Sequence, residues 1–189
     1  MKHQNALNKL TEGNERFVKD SLDGKLQDSC RRTALVSGQS PYAIILGCAD
    51  SRVVPELAFD TGLGELFTVR VAGNVANSSS IASIEYAVAH CGAKLIVVLG
   101  HQSCGAVTAA MAGGDNGEHL NHLLKHIAPA VNQSQKNASV DEVVKLNAFQ
   151  TAKDLKENSK IISEAVESGD VNIVAAFYNL DSGKVELLK

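Results

Sequence analysis

Three observations predict an α/β fold. Continuous apolar runs of strand length, clearest at Tyr42–Gly47 and Leu95–Leu99, have the pattern of strands buried on both faces of a parallel sheet. Segments of helical period separate later runs, so the connections are right-handed crossovers and the sheet is mainly parallel, with helices on both faces. No internal repeat, low-complexity tract or Pro/Gly-rich linker divides the 189 residues. We therefore expect a single domain over 1–189 with residues 1–38 as an N-terminal helical arm. Its mainly parallel sheet should have four strands plus a short C-terminal edge strand.

Taken in order, residues 4–19 carry Leu7, Leu10, Phe17 and Val18 amid polar residues, the spacing of an amphipathic helix interrupted by Gly13. Residues 30–37 read as a second short helix. The first strand follows Pro41, at 42–47, and a second is expected at 66–71. Ile81, Ile84, Ala87 and Val88 recur at helical spacing over 78–91, with Asn77 or Ser78 as N-cap. The run Leu-Ile-Val-Val-Leu at 95–99 is the strongest strand. Helices are then expected at 104–112, 118–133 and 139–167. A fourth strand covers 171–178, and Asp181-Ser182-Gly183 turns the chain into a fifth at 184–188.

Composition narrows the function. Lys and Arg number 18 against 21 Asp and Glu, a net charge of −3, so no global basic field exists to hold nucleic acid or an anionic membrane. No apolar run approaches the roughly 20 residues of a membrane span, and Met1–Leu10 lacks the apolar stretch of a signal peptide. The expectation is a cytoplasmic protein, in which Cys30, Cys48, Cys91 and Cys104 are not paired as disulfides. Cys30 and Cys91 have no ligand partner at a telling distance and read as structural.

The chemistry lies just past two strands. The first runs into Gly47-Cys48-Ala49-Asp50-Ser51-Arg52 and the third into Gly100-His101-Gln102-Ser103-Cys104-Gly105. Ligands collect at the carboxyl ends of strands in open α/β sheets, where connections diverge. If these strands are neighbours, Cys48, His101 and Cys104 converge there. Two thiolates and an imidazole suit Zn²⁺, whose charge the thiolates cancel. Three protein ligands with a fourth position vacant mark a catalytic zinc site rather than a structural one.

Cys-x-Asp-x-Arg after the first strand and His-x-x-Cys after the third resemble a β-class carbonic anhydrase of the bacterial, plant-like branch. The likeness extends through Val53-Val54-Pro55-Glu56, Gly62-Leu63-Gly64-Glu65-Leu66-Phe67, Arg70-Val71-Ala72-Gly73-Asn74 and Ser83-Ile84-Glu85-Tyr86-Ala87-Val88, and Gly13-Asn14-Glu15-Arg16-Phe17 matches the N-terminal helix. It implies one zinc per chain on Cys48, His101 and Cys104. It implies reversible hydration of carbon dioxide to bicarbonate and a proton, by attack of zinc-bound hydroxide. Asp50 and Arg52 would form a dyad orienting that nucleophile. Gln39 would hydrogen-bond substrate, Phe67, Ala72 and Tyr86 would line an apolar pocket, and Gly105 would meet it with its amide. Ala72 is smaller than the valine often found there. The resemblance further implies a homodimer or homotetramer whose N-terminal arm crosses onto a partner, with the substrate pocket at the dimer boundary. A branch that closes its zinc site with the aspartate carries Trp three residues before the first cysteine; here that residue is Ile45. An open site, with Asp50 on Arg52, is therefore expected.

Other features read more plainly. His119, His122 and His126 share one helix face without a Cys or carboxylate set beside them and read as a solvated surface. Gly113-Gly114-Asp115-Asn116-Gly117 lacks the Gly-Lys-Ser/Thr ending of a P-loop and reads as a turn. Two other functions fit part of the pattern: a non-catalytic zinc protein closed by Asp50, and a hydrolase or redox enzyme using Cys104.

Overall fold

The computed structural model describes residues 2–189. Two strands buried along their whole length sit side by side at its centre: β1 (Ala43–Gly47) and β3 (Leu95–His101). β2 (Leu66–Arg70) flanks β1 as an edge, and β4 (Asn172–Tyr178) lies on the other side of β3. The order is β2-β1-β3-β4-β5, parallel except for β5 (Val185–Leu187), which pairs antiparallel with β4. This is the expected sheet. The chain leaves β1 toward β2 and returns to β3 on β1's other side, so the switch point lies between the carboxyl ends of β1 and β3.

Alternation along the central strands feeds two cores. Ile44, Leu46, Ile96 and Val98 face α4 (Ser78–Ala89), α8 (Val140–Asn158) and α9 (Lys160–Glu167), packing with Ile84, Leu155 and Ile162. Ala43, Ile45, Leu95, Val97 and Leu99 face Ala6 and Leu10 of α1 (His3–Val18) and Phe59, which follows α3 (Pro55–Ala58). A third core caps the carboxyl ends of the strands. It joins Val107 of α5 (Gly105–Ala112), Leu124 of α6 (Glu118–Leu124), Ile127, and Ala130 of α7 (Ala128–Gln133) to Val143 and Val144.

Two expected helices are each divided. The segment 118–133 breaks into α6 and α7, with Pro129 in the first turn of α7, where a missing N–H costs nothing. The segment 139–167 breaks at Ser159, whose backbone is extended (φ −132°, ψ 115°). Its hydroxyl accepts from the Ile162 amide and donates to Glu85 Oε1 at 2.6 Å, so α9 starts afresh under its own cap. Asn77 caps α4 through a reciprocal pair with Ser80. The short helix α2 spans Ser29–Ala34.

Within the chain, α1 is seated on the sheet. The buried Asn14 donates to Ala58 O and Gly183 O at 2.9 and 2.8 Å and accepts from the Val185 amide at 2.8 Å. Gly13 permits the approach, since a Cβ there would lie 1.9 Å from Phe59 O. Asp60 ties down the end of the helix, accepting from Arg16 Nε at 2.5 Å and from the Asp23 amide at 2.9 Å. Burial pushes the Asp60 carboxyl up, yet the Arg16 and backbone hydrogen bonds outweigh it and hold it below its ordinary value of 3.8. The carboxylate therefore stabilises the fold above that value and ceases to as pH falls through the lower folded value. Asp60→Asn should cost about 2 kcal/mol of unfolding free energy at pH 7, and urea denaturation should show the gap closing below roughly pH 4.

Candidate metal centre

β1 ends at Gly47, opposite Leu99 of β3, so the residues next along each strand emerge together. Cys48, His101 and Cys104 bring one ligand atom each to within 4.8 Å of one another. All three are buried: 5% of Cys48, 1% of Cys104 and none of His101 is exposed. His101 is the last residue of β3. Its Nδ1–H donates to Gln102 O at 2.9 Å, while the buried Nε2 has no hydrogen-bond partner. The Nδ1 contact leaves Nε2 with its lone pair, the form in which imidazole binds a metal.

Ser103, in the left-handed region at φ 55°, turns the chain so that Cys104 caps α5. The nearby Cys104 sulfur favours thiolate at Cys48 and pushes its pKa down, while the Cys48 sulfur and burial push that of Cys104 up. Burial pulls the His101 imidazole down, but its contacts with the Cys48 sulfur outweigh this and raise it. Two buried sulfurs within 4.8 Å of an imidazole nitrogen that has no hydrogen-bond partner fit a divalent, sulfur-tolerant cation, which satisfies all three donors. The donor set fits zinc.

Asp50 stands beside the cluster rather than in it. Its carboxylate accepts from Arg52 Nε at 2.9 Å and Nη2 at 2.8 Å, and from the Arg52 amide at 3.0 Å. This two-pronged pair holds the carboxyl well below the usual carboxylate range, so Asp50 is an acceptor on every oxygen. Its Oδ2 lies 3.9 Å from His101 Nε2, close enough to meet a small molecule held at the same point.

Ala72 and Gly105 are at this end of the sheet. Ala72 opens the 72–74 turn that lies against Cys48, and Gly105 follows Cys104 at the start of α5. Gln39, Phe67 and Tyr86 are not. Gln39 precedes β1, and Phe67 pairs in register with Ile44, three residues short of Gly47 and so about 10 Å from the carboxyl end. Tyr86, in the last turns of α4, stacks near Phe67 with ring centroids 6.2 Å apart and is 51% exposed. These three occupy the opposite end of their own sheet.

Four further residues serve the centre. Arg70 donates to Cys48 O at 3.0 Å and Asp50 O at 2.7 Å, pinning the segment that carries both. The Gly73 amide donates to Cys48 Sγ at 3.3 Å. Asn147 donates to Gly73 O at 2.8 Å, and Asp141 accepts from the Ser103 amide at 2.8 Å. Arg70 and Gly73 lie inside a motif already singled out. For Asn147 the available signal was a polar residue within the apolar stripe Val143, Val144, Ala148.

The family model described as carbonic anhydrase matches residues 43–185. Carbonic anhydrase 2 of Mycobacterium tuberculosis is 42% identical over 184 residues, covering 94% of this chain and 89% of that protein. The chain belongs to the β-carbonic anhydrase family. Solved β-carbonic anhydrases share its fold. The Coccomyxa enzyme in complex with acetazolamide superposes with a TM-score of 0.78 at 25% identity, over 94% of this chain and 83% of that one. One of two tetrameric enzymes from Sordaria macrospora gives 0.75 at 26% identity, over 83% and 85%. As a β-carbonic anhydrase with this donor set, the protein should take up one zinc per chain. His101→Ala should leave it below about a tenth of that occupancy by metal analysis, and full occupancy would remove His101 from the ligands.

Proposed function

We propose that the protein catalyses the reversible hydration of carbon dioxide to bicarbonate and a proton, with Cys48, His101 and Cys104 as the ligands of one zinc per chain. The observation that carries this reading is Asp50, locked on Arg52 beside a three-donor cluster instead of completing it. A fourth position is thereby left to water and substrate. Zinc there supplies Lewis acidity, which makes water a usable nucleophile near neutral pH.

The chain's own residues do the rest. Asp50, kept ionised, accepts the proton of the attacking oxygen in a hydrogen bond and aims the oxygen's free lone pair at the carbon. Arg52 fixes that carboxylate at two points and stays charged at any working pH. Ala72 and the backbone at Gly105 offer carbon dioxide no competing charge. A role for Gln39, Phe67 and Tyr86 in the same pocket requires a second copy of the chain, because their own centre is at the other end of the sheet. A homodimer, or dimers paired as a tetramer, meets that requirement. Four unpaired cysteines suit a reducing cytoplasm. No helix among the described residues is long and apolar enough to cross a membrane.

Stopped-flow hydration on zinc-loaded protein of measured metal content and light-scattering mass tests this reading. Turnover by a dimer or larger assembly is expected. Arg52→Ala should keep its zinc and lose about 10²-fold in kcat/KM, the cost of a misaimed reactant. A zinc-loaded protein without hydration activity would favour a binding or regulatory zinc site. A fully active monomer would exclude the shared pocket.

A further inference from the structure

One element touches the segment that carries His101 and Cys104 and also the 72–74 turn that lies against Cys48. α8 crosses the carboxyl ends of the strands, and its Val144 packs so closely that a Cβ on Gly100 would lie 2.7 Å from Val144 Cγ1. From its first turn Asp141 receives the Ser103 amide, next to Cys104. Two turns later Asn147, fully buried, donates to the Gly73 carbonyl at 2.8 Å.

Gly73 is the informative partner. Its φ of 70° lies in the left-handed region, and a Cβ there would meet Ile127 Cδ1 at 2.7 Å. In this conformation its amide points at Cys48 Sγ, 3.3 Å away. The neighbouring Asn74, also left-handed at φ 46°, is fully buried with neither Oδ1 nor Nδ2 of its side chain hydrogen-bonded. The turn therefore gets no support from the Asn74 side chain, and the Asn147 amide is its side-chain anchor.

We infer that Asn147 is a positioning residue of the metal centre, holding the 72–74 turn so that the Gly73 amide stays aimed at the Cys48 sulfur. An N–H donor on a ligating thiolate withdraws charge from the sulfur and restrains its orientation, so losing it loosens the ligand and changes the metal–sulfur bond. Asn147 touches neither substrate nor metal and acts only through Gly73. The inference rests on Cys48 being a zinc ligand.

The test uses full-length protein loaded with zinc or, in parallel, cobalt. Asn147→Ala should release zinc to a chromophoric chelator about tenfold faster than wild type and shift the sulfur-to-cobalt charge-transfer band. Leu155→Ala, a cavity in the same helix with no bond toward the site, should lose stability yet release zinc at the wild-type rate with an unchanged band. If Asn147→Ala does not fold, Asn147→Ser, too short to reach the Gly73 carbonyl, gives the same readings. Wild-type release with an unmoved band in the Asn147 variant overturns the inference, as does equal acceleration in Leu155→Ala. Zinc retained at full occupancy by Cys48→Ala instead overturns the ligand assignment, and this inference with it.

Discussion

The register between β1 and β3 is the constraint on which the site depends. Pairing Gly47 with Leu99 lets the two strands deliver Cys48 and His101 to the same level of the sheet. Strand side chains alternate with period two, so a slip of one residue would turn Ile44 and Leu46 away from the α4 and α8 core and carry Cys48 out of reach of His101. Those apolar residues fix the register because both faces of the strand are buried. The hydrophobic cores and the metal centre thus enforce the same alignment.

Burying two sulfurs and an imidazole is costly unless their polar atoms are answered. Gly73 serves Cys48 and Gln102 serves Nδ1 of His101, while Cys104 stands at the N-cap of α5, whose positive dipole end favours charge on its sulfur. The unanswered Nε2 is the atom a cation would take. Around this buried set the charged groups are arranged outward. Asp50 is largely covered while Arg52 reaches solvent, with side-chain exposures of 17% and 54%. The carboxylate is therefore held from the water side and remains free to face the cluster. Arg70 fixes the peptide between them, so the dyad and the first ligand move as one unit.

Much of this was legible in the sequence because its signals are local. Buried strands read as apolar runs, Asn77 reads as a cap, and the spacing of Cys48, Asp50 and Arg52 places their side chains on one loop. What was not legible depends on contacts distant in sequence. Ser159 breaks a helix by bonding Glu85, 74 residues away, and Asn147 meets Gly73 at the same separation. Nothing in a helical period marks either partner. Gln39, Phe67 and Tyr86 show a different limit. Motif resemblance gives them positions in the chain, but only the direction of β1, β2 and α4 shows that they lie at the far end of their own sheet.

Anomalous diffraction at the zinc edge, on crystals grown near neutral pH, tests the central claim most directly. The account predicts one peak per chain bonded by Cys48 Sγ, His101 Nε2 and Cys104 Sγ, with Asp50 still paired to Arg52 and a non-protein atom at the fourth position. A peak elsewhere, or an Asp50 oxygen at bonding distance from the metal with Arg52 released, would contradict it.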